Sequence, residues 1–217
     1  MRNGYESLTG QINVEYKKPA GGEPINLNVY YNNENRKELN GDVSILLNKD
    51  WSTKILCHYS SNMSKFDHNN DGFIDIPLNS QINFMNRWNQ ETKKGHWVIG
   101  YNYIKENIEG GEKEFDKERD YMTTNRYGIG NDIERHYIFS KKGFILDSLN
   151  ERSLGIIVSG NITKLNSFYG IKKYNGYGRS IYSSIVYDGL TNIFNKRHLE
   201  NDHRHENITS VGINYMY

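Results

Sequence analysis

Oxygen-bearing side chains recur at regular spacing between positions 66 and 77, in an acidic stretch that is interrupted by glycine. Oxygen ligands recur at positions 1, 3, 5 and 9 of the calcium-loop template, at Asp67, Asn69, Asp71 and Asp75. Gly72 occupies position 6, where the chain must turn sharply, and Phe73 occupies position 7, which offers only its carbonyl oxygen. Because calcium is a hard cation that takes about 6–8 oxygen ligands, this spacing predicts calcium as a cofactor.

Two features of the same stretch depart from the calcium-loop template. Position 12 of the template is normally a bidentate glutamate but is Leu78 here, and neither flank has the helical periodicity of an EF-hand. Asn, Asp and Gly also form tight solvated turns without any metal. The sequence therefore leaves two interpretations open, a calcium site and a metal-free turn.

The other chemically suggestive groups are weaker. One cluster consists of His198, Glu200, His203 and His205. Because His203 and His205 are two residues apart, they would share a face of a strand and could bind one transition metal. A solvated turn is the favoured interpretation of this cluster. The acids between 112 and 120 alternate with lysine and arginine, as in a solvated loop. The sequence has no nucleophile elbow, phosphate-binding loop or CxxC pair, so it predicts that the protein is not an enzyme.

The composition excludes several classes of protein. The chain has 217 residues, a formal net charge of +1 and a mean hydropathy of -0.80. These values predict no nucleic-acid partner and no membrane-spanning helix. The 17 Tyr, 8 Phe and 3 Trp argue against a disordered chain. The single Cys57 excludes an internal disulfide, and the first residues lack the apolar segment of a signal peptide.

Apolar and polar residues alternate with a period of two along nearly the whole chain. Such alternation is typical of strands that have one apolar and one polar face. About ten segments follow it, at 12–16, 25–31, 43–47, 55–59, 82–88, 97–103, 134–139, 154–162, 181–187 and 211–217. No segment has convincing helical periodicity. The pattern therefore predicts an all-β, antiparallel protein without significant helix.

The connections between these segments tend to alternate in length. Short connections are predicted near positions 49, 93 and 148 and longer ones near 68, 113 and 172, while the polar connection near 199 is an exception. Short turns at one end and long loops at the other are typical of a transmembrane β-barrel, whereas the loops of a soluble sandwich have no reason to sort in this way. The sequence favours part of an antiparallel transmembrane β-barrel, with about nine or ten strands.

Several segments resemble TonB-dependent outer-membrane receptors, especially those of the Bacteroidetes type. Positions 3–19, NGYESLTGQINVEYKKP, resemble the end of the plug domain, where a last plug strand leads through a linker into the first barrel strand. The segment DWST at 50–53 resembles the start of a strand after a periplasmic turn, and 67–77 resembles an extracellular loop. The segments NRW at 86–88 and SFYG at 167–170 also fit, so the resemblance covers essentially the whole chain.

This resemblance implies that 1–20 is the last plug strand and linker and that 21–217 is the first part of a barrel. Members of the family take up a scarce ligand, such as a metal chelate, a vitamin or a glycan, driven by TonB. The chain lacks the signal peptide, the TonB-contacting segment, nearly all of the plug and more than half of a barrel of roughly 22 strands. It is therefore expected to be a receptor fragment that is inactive alone. Its expected location is the Gram-negative outer membrane, with lipid as partner and TonB contacted only through the missing plug.

Two other functions remain open. The first is a complete small outer-membrane barrel, which an even number of strands and an aromatic residue at Tyr217 would favour. The second is a soluble calcium-binding β module that binds glycan. Such a module would pack one dry face against a core and fold without detergent. In none of the three cases does the sequence name a small-molecule ligand.

Overall fold

The chain forms one antiparallel β-sheet of nine strands in a computed structural model. The structure describes Pro19 and residues 23–147, 152–190 and 208–217. Each strand pairs with the next one along the chain, in the order β1 (Ile25–Tyr31), β2 (Lys37–Leu46), β3 (Trp51–Asn62), β4 (Leu78–Thr92), β5 (Gly95–Gly111), β6 (Gly128–Asp147), β7 (Arg152–Tyr169), β8 (Lys172–Leu190) and β9 (Ile208–Met216). The predicted all-β, antiparallel fold is confirmed. A helix of four residues, α1 (Lys117–Asp120), lies between β5 and β6.

Three connections differ from the predicted ones. Positions 167–179 were predicted to lie in a long loop, but β7 runs to Tyr169 and β8 starts at Lys172. Gly170 allows this two-residue turn because it adopts a φ of +59°, in the left-handed region. The predicted loops at 32–42 and 106–120 are also shifted, since β2 starts at Lys37 and β5 continues to Gly111. Polar residues obscure the period of two in these strand segments, so the sequence pattern did not predict them as strands.

The remaining described connections follow the prediction. Residues 47–50 and 93–94 form short turns at one end of the sheet, which we call the turn end. Residues 63–77 and 112–127 form long loops at the opposite end, which we call the loop end. The predicted strand at 12–16, the turn near 148 and the connection near 199 lie outside the described residues.

The strand register sorts the side chains into an apolar and a polar face. On the apolar face, Val43 lies opposite Ile25 on one side and Ile55 on the other, and the same row continues across the sheet. Further members of this face are Leu27, Val29, Ile82, Phe84, Ile99, Ile138, Ile156, Val158, Ile162, Ile181, Ile185 and Ile213. The opposite face carries mainly Asn, Ser and charged side chains. Side chains alternate between the two faces along each strand, although β6 also places Ile133, Tyr137 and Phe139 on the polar face.

Burial is inverted relative to a water-soluble protein. Residues such as Ile138 and Ile185 on the apolar face are at least half exposed, whereas Lys54 on the polar face is 1% exposed. Other buried residues of the polar face are Ser52, Ser60, Asn62, Asn89 and Ser184. Among the described residues, only Leu78, Met85, Val98, Phe115 and Phe168 are buried apolar residues. This pattern indicates a sheet that curves around its polar face and has no second layer over its apolar face.

Candidate functional site

The apolar face forms a band of the height that a membrane requires. Along β7, outward-facing apolar side chains extend from Leu154 to Ile162, a segment of nine residues with only Gly160 interrupting them. A tilted strand needs about 9–11 residues to cross the hydrocarbon core of a bilayer. Outward positions beyond the band are charged, at Lys105, Glu134 and Lys164, and one outward lysine, Lys142, lies within its limits opposite Trp97 and Ile156. The extent of the band matches that of the lipid-facing surface of an outer-membrane barrel.

Aromatic residues border this band at both ends. All three tryptophans of the chain, Trp51, Trp88 and Trp97, have outward positions near the turn end, and the Trp51 and Trp97 ring centroids are 6.0 Å apart. Lys142 holds its Nζ 4.8 Å from the Trp97 ring centroid. Towards the loop end, outward positions are occupied by Tyr31, Tyr59, Tyr103 and Tyr177. Aromatic rings with a polar tip favour the boundary between hydrocarbon and water, so both borders fit membrane interfaces.

A charged network holds β1, β2 and β3 together on the polar face. Lys54 forms an ion pair with Asp42 and donates a hydrogen bond to Ser44 Oγ at 3.0 Å. Asn26 donates from Nδ2 to Asp42 Oδ1 at 3.3 Å. A buried ammonium needs such partners because its desolvation is costly. The sequence alone does not predict this network, because only the strand register shows that Asp42 and Lys54 lie close together.

Amide side chains continue the polar surface across five strands. Asn28, Asn40, His58 and Asn83 lie in one row of the register. His58 donates from Nδ1 to Asn40 Oδ1 at 2.5 Å, and Asn40 donates from Nδ2 to Asn28 Oδ1 at 3.3 Å. Asn102 then donates to Asn83 Oδ1 at 2.9 Å. These groups line a groove of about 330 Å³ together with Leu27, Leu56 and Met85, so the groove offers hydrogen-bond donors and acceptors beside an apolar surface.

The acidic loop folds as a set of side-chain-capped turns. The two carboxylate oxygens of Asp67 accept hydrogen bonds from the main-chain N–H groups of Asp71 and Gly72, both at 3.2 Å. Asp71 in turn accepts from the Phe73 N–H at 2.8 Å. Gly72 has a φ of +86°, which explains the glycine at this point. Asn69 accepts from the Asp71 N–H, so three of the predicted ligands shape the turn directly.

The fourth predicted carboxylate, Asp75, closes the loop through His68. Its Oδ2 accepts from the main-chain N–H and from Nδ1 of His68, both at 2.8 Å. These two hydrogen bonds, the main-chain one first, lower the pKa of Asp75 below its ordinary value of 3.8. The Phe66 and His68 rings stack above the contact with centroids 5.5 Å apart. Asp75 is therefore committed to a contact within the loop.

Hydrogen bonds join the two long loops to each other. Phe73 forms an isolated antiparallel bridge with Glu112, and the Lys113 N–H donates to the Gly72 carbonyl at 2.8 Å. Lys65 adds a bond from Nζ to the Phe115 carbonyl at 2.7 Å. The Gly72 turn of the acidic loop is thus fixed by the neighbouring loop as well as by its own carboxylates.

The structure brings the predicted calcium ligands into one loop without gathering their carboxylates around one point. Within residues 23–147, 152–190 and 208–217, no group of three or more His, Cys, Asp or Glu side chains could hold a metal ion. Each carboxylate of Asp67 and Asp71 keeps lone pairs beyond those used by N–H groups, so calcium remains a prediction. The cluster of His198, Glu200, His203 and His205 lies outside the described residues.

The acids between 112 and 120 act as structural groups. Asp116 caps α1 by accepting from the Glu118 and Arg119 N–H groups. Asp120 is 2% exposed and is paired with Arg119 at 2.7 Å. This pairing lowers the pKa of Asp120 and raises that of Arg119. The observed contacts agree with the solvated-loop interpretation, although they make this loop more ordered than charge alternation suggests.

Comparisons with models of protein families, with curated proteins and with solved structures found no match for this chain. In the part of the chain that the structure describes, no helix has the length and hydropathy that crossing a membrane requires.

We predict that the Asp75 carboxyl group titrates with a midpoint below 3.8. Because the folded pKa is depressed, the stabilising contact with His68 is present above pH 3.8 and is lost as the pH falls through the folded pKa. NMR titration of the carboxyl carbon measures this midpoint. His68→Ala should raise it only partly, since the main-chain N–H remains, while His58→Ala on the polar face should leave it unchanged. A wild-type midpoint at or above 3.8 would contradict the assignment.

Proposed function

We propose that this chain forms part of the wall of a transmembrane β-barrel in the outer membrane of a Gram-negative cell. The observation that carries the proposal is the inverted burial of the sheet, which exposes Ile138 and Ile185 and buries Lys54. Exposed apolar area on this scale is unfavourable in water and favourable against lipid tails. The polar face then lines the lumen. Membrane lipid is the corresponding partner.

Within this class, we favour a fragment of a TonB-dependent receptor that takes up a scarce ligand. The support for this finer assignment is the resemblance of the segments at 3–19, 50–53 and 67–77. A sheet that ends in β1 and β9, with no pairing between these two strands among the described residues, agrees with a wall that needs further strands. Sequencing the DNA on both sides of the reading frame tests it, because a receptor gene would encode a plug upstream and more strands downstream.

The two alternatives account for fewer of these features. A complete small barrel requires closure, and the described residues show β1 and β9 each paired on one side only. A soluble module requires a layer that covers its apolar face, and the described residues contain no such layer. That the chain is not an enzyme remains an expectation from its sequence.

We also propose that the loop at 66–77 binds calcium weakly. Asp67, Asn69 and Asp71 turn around Gly72 with side-chain oxygens to spare, and Phe73 adds a carbonyl. Asp75 is engaged by His68, and Leu78 replaces the bidentate glutamate, so the number of strong ligands is low. We therefore expect a dissociation constant of about 10⁻⁴–10⁻³ M, as in extracellular calcium modules. Bound calcium would rigidify the loop that contacts β5 through Gly111.

The lipid-facing assignment predicts opposite results for two adjacent arginine substitutions in β7. Val158→Arg places a charge in the middle of the apolar band and should cost about 2–4 kcal/mol of unfolding free energy in a bilayer. Ser159→Arg points to the polar face and should cost less than about 1 kcal/mol. Urea unfolding of the chain from phospholipid vesicles, followed by tryptophan fluorescence, measures both values.

The same pair separates a membrane protein from a soluble one. Val158 is 46% exposed, so in a soluble module its replacement by arginine should change stability by no more than about 0.5 kcal/mol. A chain that folds fully in lipid-free buffer and tolerates Val158→Arg there would overturn the proposed membrane location.

The calcium proposal predicts a loop-specific response to titration with calcium chloride. Amide NMR signals of residues 67–75 should shift at millimolar calcium, and Asp71→Asn should weaken the response by about tenfold through loss of a charged ligand. Asp50→Asn, at the turn end, serves as a matched control and should have no effect. Equal shifts in the wild type and in Asp71→Asn would indicate that calcium does not bind this loop.

A further inference from the structure

A second groove lies at the loop end, on the outward side of the sheet beyond the apolar band. It has a volume of about 400 Å³, within the range of about 300–1,000 Å³ that is typical of ligand pockets. Asp132, Asn166 and Asn175 form one row of the register along its wall, at outward positions on β6, β7 and β8. The outward surface thus changes from apolar to hydrogen-bonding at this level, and α1 covers it from the side.

Two aromatic rings that pack directly over glycine residues form a rigid floor for this groove. The Phe168 ring lies over Gly130, where an added Cβ would approach it to 2.2 Å, and Phe115 lies over Gly128, where the approach would be 2.4 Å. Both rings are buried, and their centroids are 6.0 Å apart. Tyr121 meets Phe168 edge-on at 5.0 Å. These contacts order the groove before any ligand arrives, which lowers the entropic cost of binding.

Two lysine side chains lie over the aromatic rings of the groove. Lys117 Nζ lies 5.9 Å from the Phe168 centroid, and Lys173 Nζ lies 5.7 Å from the Tyr121 centroid. Within the described residues neither lysine forms an ion pair, and the same is true of Asp132. The charged groups that line the groove are these three, so its net charge is positive by one. A ligand with a single acidic group would complement it.

We propose that this groove binds an acidic saccharide, a sugar that carries a carboxylate or a phosphate. The lysines supply cations for the acidic group, and lysine binds such groups as a point charge. Asp132, Asn166 and Asn175 supply acceptors and donors for hydroxyl groups. The Tyr121 ring, which is 38% exposed, offers an apolar surface to the C–H groups of a sugar ring. Sites of this kind combine a few convergent polar groups with aromatic walls.

An acidic peptide fits the groove less well than a sugar. Extended peptides usually bind by adding a strand to an open sheet edge. Here β6 and β7 are each paired on both sides, but β9 pairs with β8 only along Tyr182–Leu190, so the β8 edge beside Lys173 and Asn175 has no strand partner among the described residues. A peptide added at that edge would lie in the plane of the sheet, beside the outward-facing groove rather than in it. The inference does not depend on the proposed function, because the groove has the same shape whether the apolar band faces lipid or not. The sugar could be free in solution or attached to a membrane lipid.

Titration calorimetry on the folded chain in detergent micelles tests the proposal. The probes are glucuronate and glucose 1-phosphate, with glucose as the neutral control and inorganic phosphate as the charge-only control. We expect both acidic sugars to bind more tightly than either control. Lys173→Gln should weaken their binding by about tenfold, the effect of one charge-assisted hydrogen bond. Lys172→Gln, the adjacent residue on the opposite face of β8, should bind like the wild type.

Further probes and variants separate a sugar ligand from phosphate alone and a lipid-borne sugar from a free one. Asp132→Asn removes a hydroxyl acceptor and a negative charge, so it should weaken sugar binding relative to phosphate binding, and circular dichroism checks that each variant keeps its sheet. If the chain binds vesicles that carry a phosphorylated disaccharide lipid more tightly than it binds the soluble disaccharide, the ligand is borne by a lipid. Equal binding of the two would identify a free sugar as the ligand. Equal affinity for phosphate and the acidic sugars, preference for a glutamate-rich peptide, or no response to any sugar probe would overturn the proposal.

Discussion

Main-chain hydrogen bonds to the preceding and following strands of the chain position every strand of this sheet. The rest of the structure depends on the register of this strand pairing. The pairing is continuous from Ile25 opposite Val43 to Tyr182 opposite Met216, with one recorded irregularity between Ile145 and Asp147. Because side chains alternate with a period of two, a slip of one residue would move a whole strand's apolar set to the polar face. The register therefore creates the two faces, and the faces determine where the protein is stable.

Hydrogen bonds and ion pairs satisfy buried groups of the polar face. Lys54 and Asp42 neutralise each other, and Asn40 accepts from His58 while donating to Asn28. Removing one partner of a buried pair would leave an uncompensated charge, a loss of about 3–5 kcal/mol. The groups lie on different strands, so the network also holds the strands in register. In this fold the polar side chains supply the specific contacts that apolar packing supplies in a soluble core.

The loop end adds order that the strands alone do not provide. The acidic loop is fixed to its neighbour by Phe73, Lys113 and Lys65, and that neighbour is fixed to the sheet by Phe115 over Gly128. The turn end carries shorter connections and the tryptophan border.

The period of two along the chain was enough to predict the strands at 25–31, 55–59 and 154–162, because apolar residues occupy every second position of each, with Gly160 as the one exception. It failed at 167–179, where tyrosine and glycine hide the alternation and Gly170 makes the turn. The spacing of Asp67, Asn69 and Asp71 around Gly72 predicted the tight turn, since these side chains act on neighbouring main-chain groups. The ion pair of Asp42 with Lys54, and the groove beneath Lys117 and Lys173, depend on residues far apart in sequence. Only the strand register and the folding of residues 112–127 onto the sheet bring these residues together.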